Sequence, residues 1–189
     1  TLTDAAGRRG WAEAAGVDYD GETPESMAAQ VESVRAALED DLSLASLQSL
    51  LPAGGARNAL DCALWDLHAK QTGVPAWRQA GLPGLKPVVT AFTLGLCDDA
   101  DTRRKAREAR DYPLLKLKVD GERHLDIVRI VREELPTTRL VVDANQAWTR
   151  ATLERVAPAM RAFGVELIEQ PVARGEDAQL DGYAPVLPL

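Results

Sequence analysis

From residue 87 onward, short apolar runs alternate with helical patterns at a nearly constant spacing. The apolar runs centre near Ala91, Leu117, Val142 and Ile168, in steps of 26, 25 and 26 residues. The segments between them repeat apolar residues at helical spacing and cover residues 98–111, 122–135 and 149–163. Because strands that alternate with helices at this period form parallel units, the pattern predicts four consecutive βα units.

The preceding part of the chain follows a different pattern. Residues 23–25, Thr-Pro-Glu, form a good helix start, with an N-cap, a proline at the first helical position and an acid in the first turn. A further helix is predicted from residue 56 to about residue 70, because Gly73 and Pro75 stop it. Residues 1–55 therefore differ in organisation from the strand–helix repeat.

Charged side chains stand at the ends of the apolar runs. Lys116 and Lys118 lie in the second run, Asp143 closes the third and Glu169 closes the fourth. Alternate side chains of a strand face the same way, so the two lysines share one face and the interleaved leucines the other. Ionised groups on apolar strands are costly unless they are paired or hold a metal. The pattern predicts a metal-assisted acid–base site.

The polar strand ends also favour one α/β architecture over another. Thr93, Lys118, Asp143 and Glu169 are predicted to lie at the carboxyl ends of successive strands on one shared face. Barrel enzymes build their sites this way, whereas a doubly wound sheet usually has a glycine-rich first turn, which this sequence lacks. An eightfold barrel typically needs about 250 residues. We therefore expect about the first half of a barrel, taken from a longer chain.

Composition narrows the class of protein further. The 189 residues are 46% hydrophobic and 27% charged, as in a soluble globular protein. A net charge of -7 argues against nucleic acid or an anionic membrane as a partner, and no apolar stretch approaches the roughly 20 residues of a membrane span. Cys62 and Cys97 form no ligand-spaced pair, which predicts free thiols and a cytoplasmic location.

Three ordered motifs resemble those of the enolase superfamily, in its muconate-lactonizing subgroup. They are Lys116-Leu-Lys118, Asp143-Ala-Asn-Gln-Ala-Trp148 and Ile168-Glu-Gln-Pro171, at βα spacing. Residues 90–93, Thr-Ala-Phe-Thr, are similar to the first barrel strand of the dipeptide epimerases. The helix from residue 56 resembles the subgroup's helix between cap and barrel.

The resemblance implies an α/β fold, a partial (β/α)8-type barrel preceded by part of an α+β capping domain. We expect the partial cap at residues 1–55, a linking helix and connection at 56–86, and the first half of the barrel at 87–189. The family's other half of the barrel would supply a third metal-binding carboxylate, a second catalytic lysine and the segment that holds the amino group of a dipeptide.

The resemblance also implies a role for each candidate residue. Lys118 is the expected general base, because the charge of Lys116 and a nearby Mg²⁺ would lower its pKa, as in other enolase-superfamily sites. Lys116 would assist it. Asp143 and Glu169 are oxygen ligands of the kind that Mg²⁺ prefers. The alternatives are solvated lysines and carboxylates that cap loops or pair with the lysines.

Three further residues complete the set of candidates. Thr93 is expected to contact substrate, or else is a threonine chosen for its strand propensity. Asn145 either supports the metal site from behind its ligands or shapes the turn. Trp148 precedes an expected N-cap at Thr149, with Leu153 at the spacing of a hydrophobic staple, which favours a packing role.

The expected function is that of a Mg²⁺-dependent epimerase or racemase that removes the α-proton of a carboxylate substrate, such as the dipeptide L-Ala-D/L-Glu. A muconate cycloisomerase or an o-succinylbenzoate synthase-type lyase is the alternative within the superfamily. The alternative that is not an enzyme is a catalytically incomplete fragment, because half a barrel leaves sheet edges with which another chain could pair. A small carboxylate is thus the expected partner, and a homo-oligomer is possible.

Overall fold

The structure is a computed structural model that describes residues 1–17, 20–40 and 43–189. It divides into two compact units, Thr1–Lys86 and Pro87–Leu189. The helix that the sequence assigns to a separate linking segment packs within the first unit, on both of its strands and on its other helices. The predicted three-part division of the chain stays a prediction.

In its described residues the first unit has a small two-stranded sheet and five α-helices. Strands β1 (Leu2–Thr3) and β2 (Arg9–Gly10) pair antiparallel. The helices are α1 (Pro24–Ser33), α2 (Arg35–Glu39), α3 (Leu44–Leu50), α4 (Gly55–Thr72) and α5 (Ala76–Gln79). Five of the buried side chains of the unit form one cluster, Val34, Leu47, Leu51, Ala56 and Leu60.

The two predicted helices of this unit are confirmed by their end contacts. The Thr23 side chain accepts a hydrogen bond from the Ser26 N–H and so caps α1, with Pro24 at the first helical position. Helix α4 ends at Gly73, which has a φ of 69°, a left-handed conformation that glycine adopts without a steric penalty.

The second unit confirms the predicted βα alternation. Its elements in chain order are β3 (Phe92–Leu94), α6 (Asp99–Glu108), β4 (Leu114–Lys118), α7 (His124–Glu134), β5 (Arg139–Asp143), α8 (Arg150–Ala162), β6 (Val165–Glu169) and a 3₁₀ helix (Asp177–Leu180). The four strands are parallel, and each pairs with the next along the chain. Sheet order that follows chain order is the beginning of a barrel, whereas a doubly wound sheet reverses its order at a switch point.

The two faces of this sheet have opposite chemistry. Alternate strand residues point towards the helices and are fully buried, among them Leu115, Leu117, Leu140 and Val142. Helices α7 and α8 contribute further members of that core: Ile127, Val128, Val131, Leu153, Val156 and Met160. The interleaved residues of β4 are its two lysines, which face away from the helices. The helices therefore stabilise one face of the sheet and leave the other for polar groups.

Strand β6 contains an irregularity that the sequence did not predict. Leu140 pairs with Val165, but Val142 pairs with Ile168, so β6 has one extra residue between these pairs. Because a one-residue slip exchanges the two faces of a strand, regular pairing from Val165 would have set Ile168 beside Asp143. The extra residue sets Glu169 beside Asp143 instead.

No helix in the described part of the chain is long and apolar enough to cross a membrane.

We expect Gly10→Ala to destabilise the first unit. A Cβ at Gly10 would lie 2.1 Å from the Ala63 carbonyl oxygen and 2.7 Å from Leu67 Cβ, so β2 would have to move off α4. Overpacking of this kind costs about 1–3 kcal/mol, measurable by urea unfolding. Gly95→Ala is the matched control, since nothing lies within 4 Å of its added methyl group. Equal stability of the two variants would contradict the close packing of β2 on α4.

Candidate active site at the carboxyl ends of the strands

The sheet brings the predicted site residues together in two adjacent rows. Lys118, Asp143 and Glu169 are register partners across β4, β5 and β6, and each is the last residue of its strand. Thr93 pairs with Lys116, which lies two residues before Lys118 on the same face. The sequence placed Thr93 in one row with Lys118. In the structure Thr93 lies in the row of Lys116, which precedes the row of Lys118 along the strands.

The charged members of these rows form one connected network. Lys116 Nζ lies 2.9 Å from Asp143 Oδ2 and 2.7 Å from Glu169 Oε2. Lys118 Nζ donates to the same Asp143 oxygen at 2.6 Å. Asp143 Oδ2 thus accepts from two ammonium groups, and Lys116 bridges the two carboxylates. The lysines are therefore not simply solvated, and the two carboxylates pair with them, as one of the alternatives for Asp143 and Glu169 predicted. The catalytic and metal-binding roles of the four residues stay predictions.

Burial is unequal across the network. The Asp143 side chain is 1% exposed, against 21% for Lys116, 28% for Lys118 and 42% for Glu169. A buried carboxylate must be paired, because an uncompensated buried charge costs several kcal/mol. Asp143 is therefore the centre of the network, while the lysines and Glu169 connect it to the open face of the sheet.

The pKa values of two members follow from these contacts. Burial by itself raises the pKa of Asp143, but hydrogen bonds from Lys118, Lys116 and the Asn145 N–H outweigh it and hold the pKa below its ordinary value. Burial lowers the pKa of Lys116, and hydrogen bonds to Glu169 and Asp143 reverse the effect, so that the net pKa is raised. Lys116 is accordingly a fixed positive charge at neutral pH.

Asn145 contacts the network through its backbone. Its N–H donates to Asp143 Oδ1 at 2.9 Å, which leaves Oδ2 for the two lysines. Asn145 and Gln146 both have positive φ, 46° and 67°, and Gln170 after β6 has a φ of 45°. Such conformations cost free energy for residues other than glycine and occur often at functional sites. The contact with Asp143 comes from the backbone of this turn, and a supporting role of the Asn145 side chain stays a prediction.

The chemistry of the donors fits a hard cation. Asp143 and Glu169 present carboxylate oxygens at neighbouring strand ends, and a single cation, the ammonium of Lys116, already bridges them in the structure. Mg²⁺ is commonly bound by one or two carboxylates together with water. Among residues 1–17, 20–40 and 43–189, no group of three or more His, Cys, Asp or Glu side chains is placed to hold a metal. The described residues thus bring two candidate ligands together.

Trp148 makes a polar contact that the sequence did not predict. Its packing role is confirmed, since it is buried in the same core as Leu153 next to the N-cap Thr149. In addition its indole Nε1 donates to the Asp120 carbonyl at 2.9 Å. A buried tryptophan generally needs an acceptor, but the sequence does not show which one.

Two protein-domain families match successive parts of the chain. Residues 2–81 match the N-terminal domain of the mandelate racemase / muconate lactonizing enzyme family. Residues 98–186 match the enolase C-terminal domain-like family. Each match falls within one of the two compact units.

Characterised relatives are similar over most of the chain. An L-Ala-D/L-Glu epimerase of Escherichia coli (strain K12) is 35% identical over 89% of this chain and 53% of its own length. An N-acetyl-D-glutamate racemase of a Pseudoalteromonas species is also 35% identical, over 95% of this chain and 58% of its own. The chain therefore spans about half the length of the relatives that it matches.

A solved structure with a bound dipeptide has the same fold. An enolase family member from Agrobacterium tumefaciens with homology to dipeptide epimerases, solved with sodium and L-Ala-L-Glu, is 35% identical, with a TM-score of 0.80 over 90% of this chain and 52% of its own.

We expect Glu169→Gln to lower the pKa of Lys116 in metal-free protein, because it removes one of the two carboxylates that hold the ammonium form. NMR titration of ¹³C-labelled lysine side chains in the presence of EDTA measures the shift. Glu166→Gln is the matched control, since Glu166 lies on the same strand but pairs with Arg139 instead. An unchanged Lys116 pKa in Glu169→Gln would contradict the bridge.

Proposed function

Because the chain belongs to the mandelate racemase / muconate lactonizing enzyme family of the enolase superfamily, we propose that its protein is an epimerase or racemase. The reaction removes and returns the proton on the carbon next to a substrate carboxylate. The observation that carries the proposal is the network of Lys116, Lys118, Asp143 and Glu169 at the ends of three adjacent strands. It joins candidate bases and candidate metal ligands in one place.

Asp143 and Glu169 are the proposed ligands of Mg²⁺. When bound, Mg²⁺ would supply a Lewis acid that stabilises negative charge on the substrate carboxylate after the α-proton is removed. The burial of Asp143 and the Asn145 N–H on its other oxygen hold this ligand in one orientation. Mg²⁺ together with a dipeptide is present in a 28% identical dipeptide epimerase from Methylococcus capsulatus, with a TM-score of 0.82 over 96% of this chain and 55% of its own.

Lys118 is the proposed base. Its Nζ lies at the carboxyl end of β4 and is partly exposed, so that it can face both Asp143 and a substrate on the open side of the sheet. Proton transfer requires that the amine is neutral and has released Asp143 Oδ2. Lys116 is the proposed electrostatic partner, because it lies on the same face of β4 as Lys118, two residues before it.

The remaining groups of the reaction are proposed to come from the rest of the protein. Inversion of a carbon centre requires a second group that returns the proton to the opposite side. The resemblance to the superfamily implies a second lysine and a third carboxylate in the other half of the barrel. We therefore expect the 189-residue chain alone to lack turnover.

The proposed substrates share an α-carboxylate and an acylated amino group. A dipeptide such as L-Ala-L-Glu has both features, and so does an N-acetylated amino acid. The relatives act on one or the other, as their names state, at equal identity to this chain. We propose the dipeptide, with Thr93 beside it, and keep the N-acetyl amino acid as the second candidate. A lyase or cycloisomerase, a cytoplasmic location and a homo-oligomer stay predictions.

We expect the complete protein to incorporate solvent deuterium at the α-carbon of the second residue of L-Ala-L-Glu, in D₂O with Mg²⁺. Lys118→Met should reduce the rate about 10²–10⁴-fold, the usual contribution of a general base. The control is Lys105→Met, since Lys105 lies on helix α6 away from the strand ends. Mass spectrometry or proton NMR follows the exchange.

The outcomes separate the candidates. Deuterium in N-acetylglutamate but not in the dipeptide would select the second substrate. No deuterium in either substrate would contradict the epimerase proposal, and an active Lys118→Met variant would contradict the assignment of the base.

A further inference from the structure

Trp148 lies where the loops after three strands meet. Its indole Nε1 donates to the Asp120 carbonyl at 2.9 Å, and its backbone N–H donates to the Pro171 carbonyl at 2.9 Å. Asp120 lies two residues after Lys118, and Pro171 lies two residues after Glu169. Trp148 itself belongs to the loop that follows Asp143. A single residue therefore connects the loops that continue from all three charged strand ends.

The connection of Trp148 to the β6 loop is made by its backbone. The Ala144 N–H donates to the Glu169 carbonyl at 3.1 Å, and the Gln146 N–H donates to the Gln170 carbonyl at 2.8 Å. Trp148 continues this series and forms a parallel bridge with Val172. The β5 and β6 loops would thus stay paired with another side chain at position 148.

The connection to the β4 loop depends on the indole. The Val119 N–H donates to the Asp143 carbonyl at 3.0 Å, and further along the β4 loop a Cβ at Gly121 would lie 3.6 Å from the Ala147 carbonyl oxygen. Between these two points the indole of Trp148 donates to the Asp120 carbonyl. Its side chain is therefore a polar link that joins the β4 loop to the β5 loop, in addition to the backbone contact at the strand ends.

Other side chains and backbone groups surround this contact. Trp148 is buried, and its ring meets the His124 ring edge-on at 5.5 Å, while His124 Nδ1 lies 3.3 Å from the same Asp120 carbonyl. The Asp120 carboxylate accepts from the N–H groups of Glu122 and Arg123 at 2.9 and 2.6 Å, which fixes the loop from its other side. Removal of the donor from a carbonyl in such surroundings therefore costs free energy, because water does not fully replace the lost hydrogen bond.

We propose that Trp148 is a positioning residue for the acid–base site, whose indole N–H holds the end of β4, and with it Lys118, in place relative to Asp143 and Glu169. The effect on rate rests on the proposed function, whereas the effect on the β4 loop does not. A base displaced by about 1 Å can slow a reaction about 10²-fold. Loss of the indole N–H should therefore have a larger effect on the rate of proton transfer than on the free energy of unfolding.

The test compares Trp148→Phe with a site-specific Trp148→3-benzothienylalanine variant in the complete protein. The second variant keeps the size of the indole and removes only its N–H, so that it remains informative if the phenylalanine variant does not fold. Val156→Ala is the control for general destabilisation, since Val156 is buried in helix α8 without a polar contact to the loops. Three quantities are measured for each protein: the melting temperature, the amide hydrogen exchange of residues 119–123, and kcat and KM for α-deuterium incorporation.

We expect both Trp148 variants to exchange the amides of residues 119–123 at least tenfold faster than wild type, and to lose at least tenfold in kcat with little change in KM. Val156→Ala should lower the melting temperature and leave both quantities near their wild-type values. Unchanged exchange of residues 119–123 would overturn the proposal, and so would a faster loop with unchanged kcat. If the wild-type protein incorporated no deuterium, the proposed function would fall, and the amide exchange alone would decide whether Trp148 holds the β4 loop.

Discussion

The buried carboxylate of Asp143 is the constraint on which the other features of the site depend. It is almost fully removed from solvent, so its charge has to be met by donors within the chain. Two lysines from the neighbouring strand meet Oδ2, and a backbone N–H from its own loop meets Oδ1. Glu169 then balances the second positive charge through Lys116. The two cations and two anions at this edge of the sheet form a group with no net charge.

This arrangement is possible because the sheet separates its two faces. The helices cover one face with aliphatic side chains, which supplies the stability of the unit. The strands can therefore carry charged residues at alternate positions on the other face without loss of the core. The bulge in β6 completes the arrangement, because it brings Glu169 rather than Ile168 into register with Asp143.

The sequence was sufficient for the features that repeat along the chain, and insufficient for those that depend on contacts between loops. The spacing of apolar runs located all four parallel strands, and alternation in β4 placed both lysines on one face. Nothing in residues 165–169 marks the extra residue of the β6 bulge, since register is decided by pairing with β5. The sequence also could not predict the hydrogen bond from the Asn145 N–H or the acceptor of the Trp148 indole. Each depends on a loop conformation that local propensity does not determine.

Metal affinity in the complete protein tests the central claim, that Asp143 and Glu169 form a cation site whose charge Lys116 balances when no metal is bound. Mn²⁺ binding, followed by electron paramagnetic resonance, should weaken in Asp143→Asn and strengthen in Lys116→Met, because the ammonium and the metal compete for the same two carboxylates. Equal affinities in wild type and both variants, or a change in the same direction in both variants, would contradict the account.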